Sequence, residues 1–197
     1  MNSPIKIESL NVVYDSKTVL HNFSYIFEPG KFYAVMGVSG IGKTSLINSI
    51  MGITKYEGRI YSENKFRISA VFQEDRLCEG ISAYKNIKIT SAKTHTEQEI
   101  RSLIEDFGLT GCASQRVSEL SGGMKRRVAI LRALLAPHDL LIMDEPFKGL
   151  DNETKETVMS IVKKMTSDDT VIMITHDMSE AIYFNAEIIN LDFSHPD

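Results

Sequence analysis

The stretch Tyr33-Ala34-Val35-Met36-Gly37-Val38-Ser39-Gly40-Ile41-Gly42-Lys43-Thr44-Ser45 decides the fold. Gly37 and Gly42 bracket four residues and Lys43-Thr44 follow, which fits the phosphate-loop pattern G-x-x-x-x-G-K-[ST]. Glycines let the backbone turn tightly and aim successive N–H groups inward, so such a loop is a concave anion site. A helix starting at its end adds the partial positive charge of its N-terminus. The flanks supply this context: residues 31–36 read as a buried strand and residues 45–51 as a helix. The stretch implies a nucleoside triphosphate site built from Gly37, Ser39, Gly40, Gly42, Lys43, Thr44 and Ser45. In this pattern the lysine reaches the β- and γ-phosphates and the Thr44 hydroxyl ligates Mg²⁺.

Composition narrows the class. With 197 residues, 43% hydrophobic and 24% charged, the chain is long enough for one well-filled core and not for two full domains. A net charge of −4 supplies no overall basic field for gripping a nucleic-acid backbone, so nucleic acid is not an expected partner. Cys78 and Cys112 lack CxxC spacing and read as reduced, partly buried thiols of a cytosolic protein. The N-terminal residues carry no apolar signal region, and no run is long and apolar enough to span a bilayer. Work at a membrane would need another anchor.

Outward from the loop, residues 5–14 alternate apolar and polar, and residues 18–27 form a second extended stretch after a turn, together an antiparallel layer. Tyr14, just before that turn, either fills the core or stacks on a base. Residues 57–61 and 66–72 read as strands, with Gln73 closing the second. Residues 82–89 and 96–107 switch to helical periodicity, and Thr94 with Glu97 or Thr96 with Glu99 offers a capping box. Residues 74–118 therefore read as a small helical lobe inserted in a core made of 1–73 and 119–197. Ser121-Gly122-Gly123 then opens an apolar helix through Leu135, as a second anion site or an ordinary serine cap.

Residues 140–143 are a continuous apolar run, as expected of a strand buried on both faces, and end in Asp144-Glu145-Pro146. Ligands bind at the carboxyl ends of strands in doubly wound sheets. Asp144 suits Mg²⁺, and Glu145 would orient or deprotonate an attacking water. Asp151 can cap a helix reaching Met165, and residues 170–175 form another buried strand that ends in His176-Asp177. A histidine there is a γ-phosphate partner or a satisfied turn residue. Residues 178–183 read as a short helix and 187–191 as a last strand.

The order of phosphate loop, Gln73, Leu120-Ser121-Gly122-Gly123, Asp144-Glu145, Asp151 and His176 resembles the ATP-binding-cassette (ABC) ATPases over essentially the whole chain. The resemblance implies an α/β P-loop NTPase core, a mainly parallel sheet flanked by helices, with an antiparallel β subdomain and the inserted helical subdomain. It implies that Tyr14 stacks on adenine, and that Gln73 contacts Mg²⁺ and the attacking water while sensing a transporter. It implies further that Ser121, Gly122 and Gly123 cap the γ-phosphate held by an opposite subunit. Glu145 is then the catalytic base, Asp151 a dimer-interface residue and His176 the switch histidine. Two ATP molecules would lie between two subunits, each between one phosphate loop and the other subunit's Ser-Gly-Gly.

Two positions depart from the family pattern: Met124, where Gln is commonest, and Lys148-Gly149 before Leu150, where Ser-Ala is commoner. Neither removes a phosphate ligand. The resemblance implies a separate ATPase subunit of a membrane importer, held at the cytoplasmic face by a permease and served indirectly by an extracytoplasmic solute-binding protein. Residues 71–77 and Glu145-Pro146-Phe147 are similar to cassettes of the nitrate, sulfonate and taurine importers. A nucleic-acid maintenance or translation ATPase of the same superfamily is the alternative, but those typically carry long coiled coils or paired cassettes. A phosphate-loop kinase outside the family would leave Leu-Ser-Gly-Gly and His176 unexplained.

Overall fold

The computed structural model describes residues 3–15, 17–91 and 94–193. Two sheets share the work. A three-stranded antiparallel sheet has the order β2-β1-β4, from Ile5–Tyr14 (β1), Lys17–Phe27 (β2) and Glu57–Tyr61 (β4). A five-stranded parallel sheet has the order β5-β6-β7-β3-β8, from Phe32–Met36 (β3), Ile68–Val71 (β5), Leu140–Asp144 (β6), Thr170–Ile174 (β7) and Glu187–Asn190 (β8). The expected α/β core with an antiparallel layer is observed, and β4 joins that layer while β5 becomes the outer strand of the parallel sheet.

Side chains alternate across a strand, and this divides the core. From β6, Leu140 and Ile142 face the antiparallel sheet and the helix Lys43–Ile50 (α1), in a cluster with Leu10, Phe27, Tyr33 and Ile47. Leu141 and Met143 face the opposite way, as do Val171 and Met173 of β7. That second cluster contains the helices Ala83–Ser91 (α2), Glu97–Asp106 (α3), Gly122–Leu135 (α4) and Asn152–Met165 (α5). Ile87, Ile100, Ile104 and Phe107 share it with Val128 and Leu131 of α4, so α2 and α3 pack with α4 without a hydrophobic break.

Local signals set the ends of these elements. Of the two capping boxes the sequence allowed, Thr96–Glu99 forms: the Thr96 amide donates to Glu99 Oε2 at 2.7 Å and the Glu99 amide to Thr96 Oγ1 at 3.3 Å. The strand expected over 66–72 is confined to Ile68–Val71, because the Arg67 amide and guanidinium are taken by Asp139. The last strand stops at Asn190 and turns into a 3₁₀ segment, Leu191–Phe193. Cys78 is exposed and Cys112 buried, so only one of the two thiols is shielded as expected.

Candidate nucleotide site

In the parallel sheet every strand points the same way, and Asp144 pairs with Ile174 while Val71 pairs with Met143. Four loops therefore leave one end of the sheet together: residues 37–42 after β3, Gln73 after β5, Glu145 after β6 and Thr175-His176 after β7. They enclose a cavity of about 190 Å³ lined by Ser39, Gly40, Gly42, Lys43, Thr44, Ser45, Gln73, Asp144, Glu145 and His176, with Val19 and Ile174. Chain separation alone could not show this meeting. The parallel register produces it.

Helix α1 begins at Lys43, two residues earlier than the apolar pattern suggested, so the motif lysine and threonine occupy its first turn. Its cap is Gly42, at φ +110. Lys43 is 6% exposed, and its ammonium donates to the carbonyls of Gly37 at 2.7 Å and Val38 at 2.9 Å. Burial pulls its pKa down, against the opposing carboxylates of Glu145, Asp192 and Asp144. Asp192 also accepts the Val38 amide at 3.0 Å and so ties the loop to the segment after β8. No local pattern signals that contact, because it spans most of the chain.

Thr44 Oγ1 lies 3.3 Å from Asp144 Oδ2. Asp144 is 4% exposed, and burial raises its pKa, with the Thr44 hydroxyl opposing and the neighbouring Glu145 charge adding. A buried carboxyl beside a hydroxyl oxygen is a donor set suited to a hard divalent cation. Glu145 is held on both oxygens: Lys148 Nζ is 2.6 Å from Oε2 and His176 Nε2 is 3.0 Å from Oε1. Burial acts to raise the Glu145 pKa, but Lys148, His176 and Lys43 outweigh it and hold the carboxyl below its ordinary value. The Lys148 departure thus sits directly on the expected base. Glu145 also adopts φ +46, uncommon for a residue with a side chain.

The other expected residues lie elsewhere. Tyr14 is 44% exposed and shares a hydrogen bond with Thr54 Oγ1 at 3.1 Å, and it does not line the cavity. Gly37 sits at φ +144 at the base of the loop. Ser121, Gly122, Gly123 and Asp151 are all outside the cavity. Ser121 Oγ accepts the Met124 amide at 3.3 Å and Asp151 Oδ1 the Thr154 amide at 3.0 Å, so both act as helix caps within this chain. A Cβ on Gly123 would stand 3.7 Å from Leu150 and 3.9 Å from the Gly149 carbonyl, which places the Ser-Gly-Gly turn beside the Asp151 loop. Beyond His176, Lys155 bridges Asp177 at 2.8 Å and Glu180 at 2.6 Å, and Glu180 accepts the Thr175 hydroxyl at 2.5 Å. This network, invisible to motif reading, fixes the His176 turn against α5.

Comparison with known proteins agrees with the geometry. The ABC transporter family profile matches residues 20–148. The chain is 33% identical to an aliphatic sulfonates import ATP-binding protein of Rhodococcus jostii, over 90% of this chain and 75% of that protein. It is 34% identical to a bicarbonate transport ATP-binding protein of Synechocystis, over 94% of this chain and 73% of that protein. Its fold superposes with a TM-score of 0.82 and 27% identity on the dimeric ATP-binding cassette MJ0796, solved in a post-hydrolysis state bound to ADP and Pi, covering 94% and 93% of the two chains. Phosphate loop, acidic strand end and sheet order have one explanation: this chain belongs to the ABC transporter family and is one of its ATPases.

Proposed function

We propose that this chain is the ATP-hydrolysing subunit of an importer, pairs with a second copy around two ATP molecules, and drives a separate permease. The observation that carries this reading is the separation between one cavity holding the loop, Gln73, Asp144, Glu145 and His176, and a Ser121-Gly122-Gly123 turn outside it. Two half-sites on one chain call for a partner of the same kind. Importer names recur among the relatives, including the sulfonate and bicarbonate proteins, and support the importer class and the nitrate/sulfonate/taurine-like group. Among the described residues no helix is long and apolar enough to cross a membrane, so a permease partner and a peripheral place at the membrane's cytoplasmic face fit the same reading. A solute-binding protein belongs to it indirectly. Within the chain, we assign 1–73 and 119–197 to the nucleotide-binding core and 74–118 to a helical subdomain.

Each residue then has a task. Amides of the loop from Gly37 to Gly42, with Ser39, Gly40 and Ser45, hold phosphate oxygens, and Lys43 leaves its carbonyl partners to bind the β- and γ-phosphates. Thr44, Asp144 and Gln73 are the Mg²⁺ residues, and that ion supplies charge neutralisation on the phosphate oxygens when bound. Glu145 takes the proton of the attacking water once Lys148 and His176 yield one of its oxygens. His176 holds the γ-phosphate side of the cavity, and Tyr14 offers its exposed ring to adenine. Ser121, Gly122 and Gly123 serve the partner's nucleotide, with Asp151 at the same interface. The test is Glu145→Gln. General-base loss should lower kcat by about 10²–10⁴-fold while ATP binding persists and a dimer accumulates on gel filtration. Normal hydrolysis by that variant would refute the assignment of the base.

A further inference from the structure

Arg126 stands in the run Lys125-Arg126-Arg127, where consecutive cations read as a solvated face. The fold does the opposite and leaves it only 5% exposed. A buried guanidinium is tolerated when its donors are all paired, and arginine has five N–H donors in a rigid planar fork. Here Nε donates to the Pro146 carbonyl at 2.8 Å. One terminal nitrogen, Nη2, donates to the carbonyls of Asp144 at 2.7 Å and Glu145 at 2.6 Å. The other, Nη1, donates to the Phe72 carbonyl at 2.5 Å and to Asp75 Oδ1 at 3.1 Å, with the Gln73 carbonyl at 3.5 Å. The fork is saturated, and Asp75 supplies the counter-charge.

The acceptors are not scattered. Three are consecutive carbonyls at the end of β6, and the others belong to Phe72, Gln73 and Asp75 after β5. The middle carbonyl of the three belongs to Glu145, the residue at φ +46. Its amide donates to the Ile174 carbonyl at 2.9 Å, so Arg126 and β7 pin the two sides of one strained residue. Left-handed backbone at a side-chain-bearing residue persists only where the surroundings over-determine it. We propose that Arg126 is a positioning residue for ATP hydrolysis: from α4, the helix that opens at Ser121, it fixes the Glu145 turn and the Gln73 strand end together. The inference rests on the reading of Glu145 as the base. It adds that the orientation of that base is set by the helix whose start serves the other nucleotide site, so a shift of α4 is felt at Glu145.

The experiment uses the full chain and Arg126→Lys, which keeps the charge but brings three donors to six acceptors. Measured quantities are kcat and KM for ATP, the affinity for a fluorescent ATP analogue, and amide hydrogen exchange. The inference expects kcat to fall roughly 10- to 100-fold, in line with a misplacement on the order of 1 Å, with analogue affinity and KM changed less than about twofold. Exchange should quicken at residues 145–148 and stay unchanged in β6. Unchanged kcat, or a fall in kcat matched by equal loss of analogue binding and by faster exchange across the sheet, would overturn it. Should Arg126→Lys fail to fold, Asp75→Ala decides: it removes one acceptor and the counter-charge from a side chain 24% exposed. A several-fold lower kcat at unchanged KM is then expected, and wild-type kcat overturns the inference. Glu145→Gln separates the two readings. If it is inactive and Arg126→Lys is normal, positioning fails while the base stands; if it hydrolyses normally, the base itself fails.

Discussion

Gly42→Ala should destabilise this protein much more than the same change at Gly52, and the difference can be worked from their surroundings. Both glycines have positive φ, +110 and +69, so an added side chain strains either backbone, at a cost of about 1–3 kcal/mol. A Cβ at Gly52 would meet nothing within 4 Å. At Gly42 it would lie 2.7 Å from the Val19 carbonyl oxygen, 3.0 Å from Leu20 Cγ and 3.1 Å from Leu20 Cδ2. Leu20 is fully buried and the carbonyl belongs to β2, so neither can step aside without parting β2 from α1. Overpacking of this kind adds about 1–3 kcal/mol, giving Gly42→Ala a total of roughly 2–6 kcal/mol against about 1–3 for Gly52→Ala. At about 2–4 °C per kcal/mol for a chain of this size, the melting midpoints should differ by roughly 2–12 °C. Scanning calorimetry on the two variants reads this directly, and titration with an ATP analogue reads the consequence, since Gly42 caps α1 and lines the cavity. Equal midpoints for the two variants would show that the close approach of loop and β2 does not exist in solution.

Other outcomes follow from the same geometry. Lys43→Ala removes a buried ammonium aimed at the loop, and two lost charge-assisted bonds at about 1.5 kcal/mol each should weaken ATP binding on the order of 100-fold. Unchanged affinity in equilibrium binding would refute the loop assignment. Ser121→Arg places a cation and a long side chain at a turn outside the chain's own cavity. It should leave monomer ATP binding intact and prevent dimerisation on ATP addition, as measured by light scattering, and an ATP-dependent dimer of the variant would contradict the shared site. His138 offers a pH test remote from catalysis. Burial acts to lower its pKa, but Asp169 at 3.3 Å and the Ala136 carbonyl at 2.7 Å outweigh this and leave it raised. A raised folded-state pKa contributes stability in full below the unfolded value of about 6.5 and loses it as pH climbs through the folded value. The midpoint gap between wild type and His138→Gln should therefore be widest below about pH 6.5 and shrink as pH rises above it, and a gap independent of pH would exclude a protonated His138.

Much of this protein is legible one residue at a time, wherever the determinant is local. Gly37 to Thr44 carry the loop because spacing and glycine placement are properties of a short segment. Leu140–Met143 and Val171–Ile174 announce buried parallel strands by being apolar at every position, since both faces are covered. Thr96, Ser121 and Asp151 mark helix starts because a cap bonds within its own first turn. The tertiary structure decided what depends on parallel register and on side chains reaching across it. It brought Gln73, Glu145 and His176 to one cavity, left Tyr14 at its outside, set Lys148 on the carboxylate of Glu145, and sent Asp192 back to the loop. Arg126 shows the limit most plainly. In the sequence it is one cation among three. Its meaning lies in the acceptors around it, most of them backbone carbonyls, and a carbonyl has no letter in a sequence.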